Sequence, residues 1–569
     1  MADNHCFHLL GNIGVSKPAQ FTYPFCYSPH PLAIMAKDEV TVYIETHYPA
    51  NVSLNEGKMM GVLVAEDSRG NVGFIAAFSG HVQGLHDDAF FVPPIYDLTV
   101  PDGEFRRGEA EITELNRKIR KLENDSDLAG LETERKTLMA AQIAEERNMR
   151  LKFDHDKEQR KSIRAKGNLT AEQFESLARE SQFQKAEMKR MRLRHAHNSA
   201  VIENEIARRR EEIDRLKTLR RQMSENLQQR IFRLFVVKNA VGESATIEDV
   251  FAQYHRENGE PASLPPAGTG ECAAPRLLQY AFSHSLRPLC MGEFWYGASP
   301  ENEVRNHGDF YPSCHHKCLP LLLWMMRGLS VEPNPLLAPP ESEVEIVWQD
   351  KWLAVVNKPS GMASVEGKAH SRSLFSWARE SFPDAAGPLI THRLDQATSG
   401  LVVIAKDGRT FTLMQQMFER GEVAKTYIAL LRGNVAHDSG EVSLPLLPSI
   451  TDRPRQMVDS HHGKPAATTF RTLMRIEGFS VVEFHPLQGR THQIRVHAAH
   501  HRGLAVPVVG DTLYGGGSVP VSENLAAVME GEFGFPAPPA GGIWLRAAAV
   551  SFIHPVTNEK ISLSLLPKK

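Results

Sequence analysis

The sequence predicts an α+β protein whose first domain is interrupted by a long antiparallel helical hairpin. Three observations carry this. Residues 1–107 and the chain after about 343 contain short apolar, β-branched runs bounded by Gly, Pro, Asn and Asp, the pattern of strands and turns. Between them, residues 108–230 contain no proline and little glycine, and are dominated by Glu, Arg, Lys, Gln and Leu, the composition of long helices. A proline-rich stretch at 333–340 then separates the front half from the rest. A chain of 569 residues, 42% hydrophobic, with a mean hydropathy of −0.32, holds two to four globular domains, by the usual size of roughly 100–200 residues each.

In the first part, residues 1–107, the runs Lys58–Val64 and Asn71–Phe78 flank the turn Asp67-Ser68-Arg69-Gly70 and read as a β-hairpin. In residues 108–230, Ile112, Leu115, Ile119 and Leu122 step by three and four, and Ile202, Ile206, Ile213, Leu216, Met223 and Leu227 keep a similar rhythm, a coiled-coil pattern. Gly167-Asn168 can end one helix and Thr170 can cap the next, with Glu172 and Gln173 in its first turn. The arms on either side are nearly equal, about 60 residues or roughly 90 Å each at ~1.5 Å per residue. Equal arms favour an antiparallel hairpin; the alternative is a parallel intermolecular coiled coil. A weaker break falls at Asn124-Asp125-Ser126-Asp127. Residues 231–335 read as the second part of the N-terminal domain, beginning with a strand at Phe232–Val237. Residues 336–342 are a linker and 343–569 a C-terminal domain.

The net charge of −3 hides an asymmetry, because residues 106–230 hold 30 Lys+Arg against 23 Asp+Glu, a net of +7. The pI is therefore no argument against nucleic-acid binding. Lys185, Lys189, Arg190, Arg192 and Arg194 form the densest cluster and could contact phosphates. Six cysteines are too few for a disulfide framework. The N-terminus lacks a signal-peptide pattern, and the longest apolar run, Leu319–Met326, is far short of the ~20 residues of a membrane helix. A cytoplasmic protein without membrane contact is expected. Cys272, Cys290, Cys314 and Cys318 lie in one region, with His315 and His316 inside a CxxxC. No second tight pair follows, so zinc ligation, buried reduced thiols and an active thiol at Cys272 all remain open, and no metal ligand set is assigned.

The chemistry concentrates between Thr391 and Asp407, THRLDQATSGLVVIAKD. One carboxylate, Asp395, precedes a turn-prone Thr398-Ser399-Gly400 and then a buried-strand run, so it sits at the mouth of a strand. This stretch resembles the signature of the RluA-type pseudouridine synthases. So do the Lys-Pro-Ser-Gly closing 358–361, the Lys-x-Tyr strand at 425–427, the basic loops Asp452–Gln456 and Gly463–Ala466, the run LQGRTHQIRVH at 487–497, and Val509–Gly515. The resemblance covers about 343–567, with the motifs in the expected order; the small RNA-binding domain that many members carry is replaced by the long N-terminal region.

The resemblance implies a mixed, mainly antiparallel sheet with a central cleft. It also implies a cofactor-free isomerisation of uridine in RNA to pseudouridine, with Asp395 catalytic, Tyr427 stacked on a flipped uracil, and Arg495 the ion-pair partner of Asp395. His392, Arg393, Arg490, Arg453, Arg455 and Lys464 are the expected RNA contacts. The RNA is large-subunit rRNA first and tRNA second, with ribosomal particles as possible partners of the hairpin. Oligomeric state is not set by the sequence. The competing reading is a non-catalytic RNA-binding or ribosome-assembly protein that works through its hairpin.

Overall fold

The computed structural model describes all residues except 1–4, 12, 50–51, 83, 341, 367–371, 451, 518 and 568–569; residue 341 of the expected linker thus lies outside the described residues. Two compact units are present, one formed by Asp97–Ile231 and one by the described residues up to Tyr96 together with those from Phe232 onward.

The helical unit contains Glu104–Glu123, Ser126–Ala165 and the 64-residue Ala171–Leu234. The first arm breaks at the Asn-Asp pair expected from sequence, where the Asp125 carboxylate caps the restarting helix through Asp127 N–H. At the far turn Thr170 and Gln173 close a reciprocal capping box, with bonds of 3.0 and 3.3 Å. Cross-arm partners show that the hairpin is antiparallel. Glu104 pairs with Arg230, Glu123 with Lys217, Glu146 with Arg192, and Arg160 with Gln184 near the turn. Ile119, Ile206, Ile213, Leu216 and Leu227 form the buried seam, as their spacing requires. Two of the five clustered cations are spent inside the hairpin, Arg192 on Glu146 and Arg194 on Glu145.

In the larger unit a five-stranded antiparallel sheet runs in the order His8–Leu9, Val72–Phe78, Lys58–Glu66, Arg287–Tyr296, Phe310–Tyr311. Strands from before and after the helical unit are therefore hydrogen-bonded neighbours, Lys58–Glu66 beside Arg287–Tyr296. The turn at Asp67–Gly70 closes the expected hairpin, its Asp67 carboxylate accepting the Arg69 and Asn71 N–H groups. The strand expected at Phe232–Val237 is shorter than its pattern suggests. The long helix carries through Leu234, so only Val236–Lys238 remains extended, because an established helix propagates more easily than it stops without a breaker.

The second sheet orders its main path as Ser439–Ser443, Ala467–Ile476, Phe479–Pro486, Ala424–Leu431, Leu545–Ile553, Ser399–Ala405, Leu353–Lys358, Glu345–Gln349, with Lys560–Ser564 added on Leu545–Ile553. All pairings are antiparallel except one. Ser399–Ala405 meets Leu545–Ile553 in parallel over Ser399 and Gly400, and this short seam is where the sheet opens. Gly400 makes the seam possible. Its φ is +115°, and a Cβ there would lie 2.3 Å from the Ala547 carbonyl oxygen.

The two sheets are joined through the segment after Arg287–Tyr296. Val458 N–H donates to Asn302 O at 2.9 Å, Arg305 pairs with Asp452 at 3.2 Å, and Arg432 pairs with Asp309. Among the described residues no helix is long and apolar enough to cross a membrane.

Substituting Gly400→Ala should lower the thermal unfolding midpoint by several degrees, equivalent to about 2 kcal/mol or more from the strained φ and the clash together. An unchanged melting curve in differential scanning calorimetry would show that the seam relaxes freely.

Candidate active site

A cleft of about 980 Å³ opens at the seam, a size suited to a nucleotide-scale ligand. Asp395 lies at its base, in the loop that enters Ser399–Ala405. The loop is held from beneath. Ser364 Oγ donates to Leu394 O at 2.6 Å and receives Leu394 N–H at 3.0 Å. Lys358, fully buried at the end of its strand, donates to the carbonyls of Pro359, Met362 and Gln396 at 2.9, 2.7 and 3.4 Å. Burial lowers the Lys358 pKa to about 7, with the nearby Asp395 charge opposing.

Arg495, from the helix Gln493–Ala499, reaches Asp395 Oδ2 through Nη1 at 3.2 Å. Its Nε and Nη2 are taken by Asp511, at 2.6 and 2.8 Å, in the two-toothed geometry a guanidinium favours with a carboxylate. Asp511 is fully buried and Arg495 is 5% exposed. Burial works against the guanidinium charge, but Asp511, then Asp395, outweigh it and hold the Arg495 pKa above its ordinary value.

For Asp395 itself burial pushes the pKa up, while His492, Arg495 and Lys358 pull it down, and the net is a carboxyl below its usual 3.8. His492 is held down to about 4 by burial and by Arg495, so it is neutral at pH 7 and the stabilising charge is that of Arg495. Tyr514 holds the His492 ring in place. Its hydroxyl accepts Gln456 N–H at 2.7 Å and is hydrogen-bonded to His492 Nδ1 at 2.8 Å. The His492 Nε2 lies 3.8 Å from Asp395 Oδ2. The Arg495 and His492 contacts thus both fall on Oδ2.

Tyr427 lines the cleft from Ala424–Leu431, at a register shift that follows Thr426. Burial, then the Asp395 charge, raises its pKa, so it is a neutral phenol at pH 7. Asp395, Tyr427 and Arg495 are thus brought together as expected. Arg393 and Arg490 line the cleft and are exposed, Arg490 anchored through Nε to Pro465 O at 3.1 Å.

The other expected RNA contacts are placed differently. Arg455 is 1% exposed, bonded to Asp452 at 2.8 Å and stacked near Tyr311 and Tyr514. It is structural, because the segment from the first sheet that contributes Arg305 and Tyr311 covers it. His392 lines the cleft, but its Nε2 accepts Val403 N–H at 3.1 Å. Burial, with Lys425, pushes its pKa down to about 3, so it offers phosphate no charge at neutral pH. Arg453 and Lys464 are exposed but do not line the cleft.

Sequence reasoning missed Lys358 and His492 as parts of the site, although both stand inside quoted motifs. It also missed Phe25, Cys26 and His315, which reach the cleft wall from the N-terminal domain and carry no local signal. The cysteines divide in the structure. Cys290 is buried in its strand, whereas the sulfurs of Cys272, Cys314 and Cys318 lie within 4.8 Å of one another.

A family model described as RNA pseudouridylate synthase matches residues 352–500, the span holding Asp395, Tyr427 and Arg495. A protein of Vibrio vulnificus named dual-specificity RNA pseudouridine synthase RluA is 35% identical over 230 residues, 39% of this chain and 82% of the relative. Its namesake in Haemophilus influenzae is 34% identical over 237 residues, 41% and 96% of the two chains. The solved human RNA pseudouridylate synthase domain containing 4 is 26% identical, covering 39% of this chain and 89% of that one, with a TM-score of 0.30. With the relatives matched over most of their own length and the ion-paired Asp395 at the cleft base, this chain belongs to the RluA-type pseudouridine synthases, isomerases that act on RNA.

Proposed function

We propose that this enzyme converts uridine to pseudouridine in structured RNA with Asp395 as the acting carboxylate, and that its substrates are large-subunit rRNA and tRNA. The dual specificity in the relatives' names supports more than one RNA. A base inside a helix cannot be reached, so the uridine is flipped into the cleft. Arg393 and Arg490, exposed on the cleft lining, are placed to hold the displaced backbone. The glycosidic N1–C1′ bond then breaks, the uracil turns, C5 bonds to C1′, and the proton lost from C5 is matched by one gained at N1. Asp395 acts on the sugar, either as nucleophile at C1′ or as base in forming a glycal, and Arg495 keeps it ionised. Tyr427 stacks on the uracil as a neutral phenol. The observation that carries this reading is the buried Asp511–Arg495–Asp395 chain, which holds a carboxylate ionised at the base of the cleft. The non-catalytic alternative leaves it without a role.

We read the helical unit as an insertion into the N-terminal domain, and its exposed Lys185, Lys189 and Arg190 as phosphate contacts on a large RNA, such as one within a ribosomal particle. A cytoplasmic location follows from such substrates.

Asp395→Asn should reduce tritium release from RNA labelled at uridine C5 to below about 1% of wild type, with RNA affinity within about tenfold. Turnover above a few per cent would refute the assignment.

Arg495→Met leaves burial of Asp395 less opposed, so the Asp395 pKa rises. The carboxylate is needed ionised, so activity falls as pH drops through that pKa. The acid limb of kcat/KM, below pH 3.8 for wild type, should move up by about 1–3 units. A limb that stays in place with only KM raised would make Arg495 an RNA contact instead.

Replacing Lys185, Lys189 and Arg190 together by Gln, in the full chain, should flatten the log–log salt dependence of binding to a large structured RNA by about 2–3. Turnover on a short stem-loop should be unaffected. An unchanged slope would assign the hairpin to protein contacts.

A further inference from the structure

Cys272 and the pair Cys314 and Cys318 are far apart in sequence, yet their three sulfurs converge within 4.8 Å of one another. Four thiolates or imidazoles around Zn²⁺ sit at about 2.3 Å or less, which places ligand sulfurs roughly 4 Å apart. The cluster already has that scale.

Cys272 is the residue before the helix Ala273–Ser283, and Cys318 is the first residue of the helix Cys318–Met325, so two helix N-termini face the cluster and favour negative sulfur. The backbone N–H groups of Lys317 and Cys318 lie near the Cys314 sulfur and favour its thiolate form. The buried carboxylate of Glu293 accepts Ala274 N–H at 3.3 Å and the Ser313 hydroxyl, so one group holds both ligand-bearing loops. Arg276, 4% exposed, lies close enough to Cys272 for the charges to interact. Its Nη2 donates to Gly80 O at 2.8 Å, while its Nε and Nη1 have no hydrogen-bond partner among the described residues. A buried, half-satisfied guanidinium is costly unless negative charge stands near it; Glu271 supplies some, ahead of Cys272, and the cluster would add to it. Three thiolates around Zn²⁺ carry a net charge of −1.

We infer that Cys272, Cys314 and Cys318 bind one zinc ion, with the fourth position open to solvent or an added ligand because Cys272 and Cys314 are only half-buried. Thiolate sulfur selects a soft metal, and Zn²⁺ is the available one that needs no redox change. The site ties the loop at 312–318 to the start of the helix Ala273–Ser283. That loop carries His315, whose ring packs 5.2 Å from Phe25 at the cleft wall. The metal therefore fixes the edge of the N-terminal domain that faces the catalytic cleft. The metal-binding claim stands independently of the reaction assigned to that cleft.

The test uses the full chain purified from zinc-supplemented medium without chelators. Elemental analysis should find one zinc ion per chain. Cys272→Ser, Cys314→Ser and Cys318→Ser should each lose it, while Cys290→Ser, at a separate buried thiol, should keep it. Titrating the wild-type protein with a mercurial should release the zinc in step with modification of three thiols, a readout that does not depend on a variant folding. Replacement by Co²⁺ should give intense sulfur-to-cobalt charge-transfer absorption. Wild-type protein that neither carries zinc nor takes up Zn²⁺ or Co²⁺, zinc that persists in the triple serine variant, or a native disulfide between any two of the three cysteines would overturn the inference.

Discussion

The active site hangs on one guanidinium. Arg495 is gripped on two nitrogens by Asp511, which lets a third present to Asp395 without freedom to rotate away. Here two carboxylates share one cation, so Asp395 is held ionised yet remains less tightly paired. Tyr514 completes the frame. Its ring lies 5.2 Å from the Arg495 guanidinium and its hydroxyl holds the His492 ring in place. Removing Asp511 would thus disturb Asp395 without touching it.

Local patterns were readable and long-range pairings were not. Thr170 and Gln173 cap each other across three residues, and Asp125 restarts a helix two residues after the previous one ends. Such signals are self-contained, so the hairpin could be traced from composition and spacing alone. The catalytic motifs were legible because the acid, the aromatic and the arginine each sit in a recognisable segment. Arg455 shows the limit. Its Asp-Arg-Pro-Arg context looks like a phosphate loop, but residues some 150 positions earlier, Arg305 and Tyr311, cover it. The same holds for His315 and Phe25 at the cleft wall, and for the meeting of Cys272 with Cys314 and Cys318. Nothing in a short window encodes which distant segment will arrive.

The N-terminal domain is consequently more than an appendage to the synthase sheet. Through Asn302, Arg305 and Asp309 it fixes the loops that contain Asp452, Val458 and Arg432, and through Phe25, Cys26 and His315 it walls the cleft. Two of its contacts, Asp452 and Tyr311, also contain Arg455. Residues outside the family match thus shape the space in which the substrate must sit.

The antiparallel course of the hairpin bears on how the chain finds its fold. The strands Lys58–Glu66 and Arg287–Tyr296 are adjacent in the sheet but more than 200 residues apart in sequence. A flexible intervening segment of that length would make their encounter slow. A hairpin whose Glu104 and Arg230 meet at 2.7 Å shortens the search. Once its arms zip from the turn at Thr170, the stretch from 104 to 230 is a closed stem, and the conformational loop left to close is the remainder alone. The longest helices in the molecule thereby act as a kinetic shortcut, turning a distant strand pairing into one of moderate range.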